Sequence, residues 1–207
     1  MFKTLADSYI PDYETESFYE ITEDVLDILK NEGIKAILLD VDGTITTHHG
    51  IEITEDAKLF LKTAKEKGFT LAYITNSSFD RSEIVSKKFG KYVTENIFWP
   101  GKYNNSIWTD WLLEIQNSKP FRQSYLKAAK ELDIDIKHCA IIGDQYSTDI
   151  WGAKRAGIKY TIKINNNLSS NEPGKKRLQR IGEKLIYDQI TRFTKNEAVK
   201  IKDMMVN

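Results

Sequence analysis

Most of what would mark a secreted, disulfide-stapled or membrane-spanning protein is missing from this chain. Its 207 residues hold one cysteine, Cys139, which excludes an internal disulfide framework and a cysteine-rich zinc site. Lying in the apolar run CAII, that cysteine is expected to be a buried strand residue. No segment approaches the roughly 18 uninterrupted apolar residues of a membrane span, and the leader MFKTLADSYIPDYETE has no apolar run of signal-peptide length. The expectation is a cytoplasmic protein, with peripheral contact at the cytoplasmic membrane face left open. Neither sign of charge is in excess: 30 Lys and Arg balance 30 Asp and Glu. No global field therefore draws the chain to nucleic acid, and electrostatic recognition has to be local. There is no internal repeat.

What is present is charge in an unusual place. The apolar run AILLDVDGT, residues 36–44, ends in Asp40 and Asp42 followed by Gly43 and Thr44. Side chains alternate along extended backbone, so the two carboxylates can project the same way, and they repel unless a cation or hydrogen bonds hold them. Asp42-Gly43 alone would be an ordinary turn signal. Three further pieces follow in order: LAYITN ending at Thr75 and Asn76, Lys119-Pro120 ahead of a helix, and CAIIGDQYSTD carrying Asp144 and Asp149.

Between these pieces the pattern alternates. Helices are expected from about Ile21, capped by Thr22 and closed at Gly33; after Thr54, with Ala57, Phe60, Leu61 and Ala64 on one face; from about Asp80 to Phe89; and through Tyr125, Ala128, Ala129 and Leu132. A short helix through Ile150 and Ala153 closes at Gly157. Strands are expected at 36–39, 70–75, 139–142 and 160–164. Short β-branched strands alternating with helices predict an α/β fold of three layers, Rossmann-like, with a mostly parallel central sheet and no large cap domain. One domain should span 1–207: a core of about 34–165, an N-terminal arm and helix 1–33, an aromatic insertion at about 91–118, and a helical tail 166–207 in which Leu178, Ile181 and Leu185 form a stripe. In such sheets ligands bind at the carboxyl ends of the strands, where Asp40, Thr75 and Asp144 all fall.

The ordered set DVDGT, strand-terminal Thr, Lys and GDQYSTD resembles the phosphatases of the haloacid-dehalogenase (HAD) superfamily over about residues 34–164. The stretches GDQYSTDIWGAKRAG, KP and SYIPDYETESFYEIT resemble the YqeG-like group of its subfamily IIIA, which includes phosphatidylglycerophosphate phosphatases. The resemblance implies a phosphomonoester substrate, a magnesium cofactor and an aspartyl-phosphate intermediate. A phosphomonoester dianion repels nucleophiles, so charge must be neutralised, an oxygen positioned in line and the leaving group protonated. Asp40 suits the nucleophile and Asp42 the general acid and then base. Asp40, the backbone carbonyl of Asp42, and Asp144 offer the hard oxygen donors that magnesium prefers, with Asp149 bound through water or orienting its neighbours. Gly43, Thr44, Thr75, Asn76 and Lys119 are expected around the phosphoryl group; Lys119 is preferred over Lys102 and Lys127 because Pro120 fits the first turn of the helix that follows. His48 and His49, adjacent and expected to point apart on extended backbone, read as part of a solvated flap, with His138 the remaining histidine.

The segments from Asp40 to Thr75 and from Thr75 to Lys119 leave no room for a large lid, so the site should be open, as suits a bulky or surface-presented substrate. Phosphatidylglycerophosphate is the favoured substrate. Trp99, Trp108 and Trp111 can seat at a membrane interface, and the basic run Lys175, Lys176, Arg177 and Arg180 can bind anionic lipid. The alternative is a cytosolic phosphatase of small phosphorylated metabolites. A non-catalytic phosphate-binding module is disfavoured because Asp40, Asp42, Lys119 and Asp144 are all present. The oligomeric state is not legible.

Overall fold

The computed structural model describes residues 6–94, 96–100, 116–166, 168, 174–201 and 203. Seven strands form one sheet: β1 (Tyr13–Thr15), β2 (Ala36–Leu39), β3 (Thr70–Ile74), β4 (Ile97–Phe98), β5 (Cys139–Gly143), β6 (Tyr160–Ile164) and β7 (Val199–Lys200). Their order is β4-β3-β2-β5-β6-β1-β7, and every pairing is parallel. The helices are α1 (Glu23–Asn31), α2 (Glu55–Glu66), α3 (Phe79–Phe89), α4 (Arg122–Glu131), α5 (Gly152–Ala156) and α6 (Gly174–Thr194).

The period-2 alternation of the strands sorts the core into two halves. Ile37, Leu39, Leu71, Tyr73, Ala140 and Ile142 face one way and pack on Val25 and Leu29 of α1, Phe60 and Leu61 of α2, and Val85 and Phe89 of α3. Ala36, Leu38, Ala72, Ile74 and Ile141 face the other way and meet Tyr125 and Ala128 of α4 and Ala153 and Ala156 of α5. Cys139 is buried on this second face, unpaired. The sheet is thus covered on both sides, as the run of apolar strands predicts.

Local signals act at the element ends. Thr22 caps α1, its hydroxyl accepting from the Val25 N–H. Gly157 ends α5 in the left-handed region at φ 101°, which a side chain would resist. The proline after Lys119 does not enter the helix: α4 begins at Arg122 with Phe121 as its cap, and the Lys119–Pro120 peptide is cis.

Three outcomes differ from the sequence expectation. The N-terminal arm and the end of the tail both contribute strands at one end of the sheet, β1 and the edge strand β7, whose three and two residues are too short to show periodicity. The stripe Leu178, Ile181 and Leu185 faces away from the protein, with exposures of 69%, 51% and 59%. The inward face of α6 is instead Arg180, Glu183 and Tyr187, of which only Tyr187 packs in an apolar cluster, with Ile10 and Tyr146. Polar anchoring replaced the apolar stripe, and helical periodicity alone cannot distinguish the two. Trp99 packs against the core, so its indole is not an exposed anchor. Trp108, Trp111 and Lys102 lie outside the described residues.

Candidate active site

Parallel register brings the site together. Leu39 pairs with Tyr73 of β3 on one side and Ile142 of β5 on the other, so the residues just past the three strands, Asp40, Thr75 and Asp144, end at one level. β3 lies to one side of β2 and β5 to the other, and the crevice opens where the chain changes direction across the sheet. The Asp40 N–H still donates to the Ile142 carbonyl at 3.0 Å, which fixes its backbone as a continuation of the strand.

Lys119 is the centre of the charge network. Its ammonium donates to Asp40 Oδ1 and Asp149 Oδ1, each at 2.6 Å, and all three groups are buried. Asn76 holds the lysine backbone from both sides: its Nδ2 donates to the Lys119 carbonyl at 2.8 Å, and its Oδ1 accepts the Lys119 N–H at 2.7 Å. Asn76 therefore positions Lys119, and its amide is committed there. Lys127 bonds to Asn117 at 2.6 Å instead. Asp149 comes from a π-helical turn, Tyr146–Trp151, and its second oxygen accepts the Gln145 N–H at 3.0 Å, so both of its oxygens are engaged.

One oxygen from each of Asp40, Asp144 and Asp149 lies within 4.8 Å of the others, all three residues buried. Burial pushes the Asp40 carboxyl up to about 7; Lys119 pulls it down while Asp149 and Asp144 push it further up. Burial also raises Asp144, against the pull of Arg180. For Lys119, burial opposes the charge, but Asp149 and Asp40 outweigh it and hold the ammonium above its ordinary value. Three clustered carboxylates with oxygen-only donors, two of them held toward protonation, fit a hard divalent cation such as magnesium. Thr44 sits fully buried beneath them, 3.3 Å from both Asp40 Oδ2 and Asp144 Oδ1, so it braces the acids and does not face the cavity. Gly43 has φ 90° and passes so close to Asp144 and Arg180 that a Cβ would collide with the carboxylate.

Asp42 is held separately. Arg81 of α3, itself buried, reaches it with Nη2 at 2.7 Å and Nε at 3.4 Å. The Ser77 hydroxyl lies 3.3 Å from its Oδ2, and the His49 N–H donates to its Oδ1 at 2.9 Å. The flap histidines do not point apart: His49 takes a left-handed backbone, φ 55°, and the two rings stand 4.0 Å apart. Thr75 shares a 2.7 Å hydroxyl contact with Ser77. His138 bonds to the Gly33 carbonyl, just ahead of β5 and at the opposite end of the strands.

These groups line a cavity of about 390 Å³ whose walls include Asp40, Asp42, Thr75, Ser77, Lys119 and, from α6, Lys176 and Gln179. The tail helix thus forms part of the wall, anchored by Arg180, which pairs with the Asp144 carboxylate and donates to its carbonyl at 3.1 Å. Glu183 supports the same helix by accepting from the Tyr146 N–H at 3.2 Å and from the Ser147 hydroxyl. The roles of Arg81, Gln179 and Glu183 were not legible beforehand. Among 30 basic residues Arg81 carries no local mark except its place at the start of the helix after TNSS.

A haloacid dehalogenase-like hydrolase family model matches residues 11–157, a span that ends before α6. The chain is 25% identical over 175 residues to the D-glycero-beta-D-manno-heptose-1,7-bisphosphate 7-phosphatase of Haemophilus ducreyi, covering 74% of this chain and 96% of that protein. It is 23% identical over 156 residues to the "Probable phosphatase YqeG" of Bacillus subtilis, covering 75% and 77%. A crystal structure of a HAD phosphatase from Thermococcus onnurineus superposes with a TM-score of 0.52 at 16% identity, covering 68% of this chain and 89% of that one, a likeness of fold.

Proposed function

The chain belongs to the haloacid dehalogenase-like hydrolases and is a phosphatase, and from that premise we propose that it cleaves phosphomonoesters through an aspartyl-phosphate on Asp40, with magnesium as cofactor. The observation that carries the reading is the buried cluster of Asp40, Asp144 and Asp149 with Lys119 bridging two of its acids. Asp40, Asp144 and the backbone carbonyl of Asp42 would hold the cation, which supplies positive charge against the phosphoryl oxygens. Asp40 Oδ attacks phosphorus, the ester P–O bond breaks, and the leaving alkoxide takes a proton from the Asp42 carboxyl. Water then attacks the acyl phosphate, returns a proton to Asp42 and releases inorganic phosphate, restoring Asp40. Lys119 holds the nucleophile, Thr75 and Ser77 offer hydroxyls to the transferring group, and Asp149 fixes Lys119.

The substrate we infer is a membrane-presented phosphomonoester, with phosphatidylglycerophosphate favoured. The outer face of α6 supports it: Leu178, Ile181, Leu185, Ile186 and Phe193 are all more than half exposed. Lys175, Arg177 and Lys184 lie among them, a composition suited to an anionic lipid surface. Among the described residues no helix is long and apolar enough to cross a membrane. A soluble sugar phosphate is the second reading, favoured by the substrate named for the Haemophilus relative.

The test is phosphate release from p-nitrophenyl phosphate, sugar phosphates and phosphatidylglycerophosphate in mixed micelles, with Asp40→Asn as control. Asp40→Asn should lose several orders of magnitude; retention of a tenth of the rate would remove Asp40 as nucleophile. The wild type should sediment with phosphatidylglycerol vesicles at low salt, and Leu178→Asp/Ile181→Asp/Leu185→Asp should not. Turnover confined to soluble sugar phosphates, with no vesicle binding, would select the second reading.

A further inference from the structure

The cations around the active site are not equivalent. Lys119 is committed to Asp40 and Asp149, Arg81 to Asp42, and Arg180 to Asp144. Lys176 differs. It lines the same cavity, yet its ammonium meets no carboxylate among the described residues; its polar contact is the His48 Nδ1 at 3.5 Å, a long one. Beside it, lining the cavity, stand Gln179 on the next turn of α6, whose Nε2 also donates to Glu183 at 3.1 Å, His49 of the flap, Gln145 just ahead of the π-helical turn and Thr148 within it.

The placement of Lys176 is built, not incidental. Positions 176, 180 and 183 follow one another at helical spacing, and the latter two are tied down by Asp144 and by the Tyr146 N–H and Ser147 hydroxyl. The helix can therefore hold a lysine at the cavity wall without a carboxylate partner, where an incoming anion can meet it. The phosphoryl group to be transferred belongs at the other wall, with Asp40, Thr75 and Lys119. A cavity of about 390 Å³ is within the range that encloses a small ligand, beyond what the reacting group alone requires.

We propose that Lys176, with Gln179 and the flap histidines beside it, forms a subsite for a second anionic phosphate group, so that the preferred substrate is a phosphomonoester carrying another phosphate elsewhere on the same molecule. The inference rests on the phosphatase reading and deepens it. The second group is a phosphodiester in a lipid headgroup or a second monoester in a soluble bisphosphate; Lys176 recognises the chemistry the two share. Arginine at 176 preserves it, whereas glutamine keeps reach and polarity but removes charge.

The test compares kcat/KM within two pairs on the full-length protein with magnesium. One pair is fructose 1,6-bisphosphate against fructose 6-phosphate. The other is the deacylated headgroup glycerophosphoglycerol phosphate against glycerol 3-phosphate. The wild type should prefer the doubly phosphorylated member of at least one pair about tenfold or more, and the pair showing it identifies the source. Lys176→Gln should collapse that ratio toward one, chiefly through KM, and Lys176→Arg should restore most of it. A wild type with no preference in either pair, or a ratio unmoved in Lys176→Gln, overturns the subsite while leaving the phosphatase reading intact. If the wild type hydrolyses none of these compounds nor p-nitrophenyl phosphate, the phosphatase reading itself fails and the subsite falls with it.

Discussion

At Asp40 the demands of folding conflict with those of the proposed chemistry. Its carboxyl is raised by burial from near 4 to about 7, so the stability it contributes is present below the unfolded value and is lost as pH rises through the folded one. In EDTA the wild type should therefore melt progressively lower between pH 5 and 8, and Asp40→Asn should melt higher than wild type at pH 8, with the gap narrowing toward pH 4. Thermal melts across that range decide it; an unchanged gap would show that Asp40 is not held toward protonation. Arg81 makes a second claim at this scale. By gripping Asp42 through two nitrogens it sets the direction of the carboxyl proposed as general acid. Acid–base groups contribute about 10²–10⁴-fold to rate, so Arg81→Met should lower kcat roughly 100-fold with KM changed only a few-fold. A change mainly in KM would place Arg81 in substrate binding instead. The acids were readable in the sequence because charge at the end of an apolar strand is rare; Arg81 was not, because its meaning comes only from a partner 39 positions away.

Among the elements, those legible beforehand were the ones that bury a periodic apolar face. β2 and β5 are buried throughout, and α2 presents Ala57, Phe60, Leu61 and Ala64 to the core as its spacing requires. The tail helix was legible as a helix and misleading in orientation, since its inward side chains are an arginine, a glutamate and a tyrosine. Removing the glutamate should reveal what holds it. Glu183→Ala leaves the Tyr146 N–H without its acceptor and frees Ser147, a loss of about 2 kcal/mol. Hydrogen exchange should show faster exchange in α6 with the β2–β5 centre unaffected; uniform acceleration would mean that α6 is not a separable unit.

For the molecule as a whole, the acidic cluster links ligand binding to global stability. Magnesium at about 100 times its dissociation constant should stabilise the fold by roughly 2.7 kcal/mol. For a domain of this size that is a rise of roughly 5–10 °C in melting temperature. Asp144→Ala should abolish most of the rise, and a full rise in that variant would move the cation elsewhere.

The sheet closes its edge with strands from opposite ends of the chain: β1 pairs with β6 on one side and β7 on the other, and Lys200 reaches Glu14 across 186 positions. On the ribosome, β1 is made first of the seven strands, its neighbour β6 sixth and its other neighbour β7 last. At about 5–20 residues per second the arm waits roughly 10–40 s between the synthesis of Glu14 and the arrival of Lys200. Until β6 emerges, after most of that interval, β1 is an unpaired strand, and until β7 emerges it stays an open edge that can join another chain's. Brevity limits the hazard, because β1 is three residues long and two of its side chains, Glu14 and Thr15, are polar.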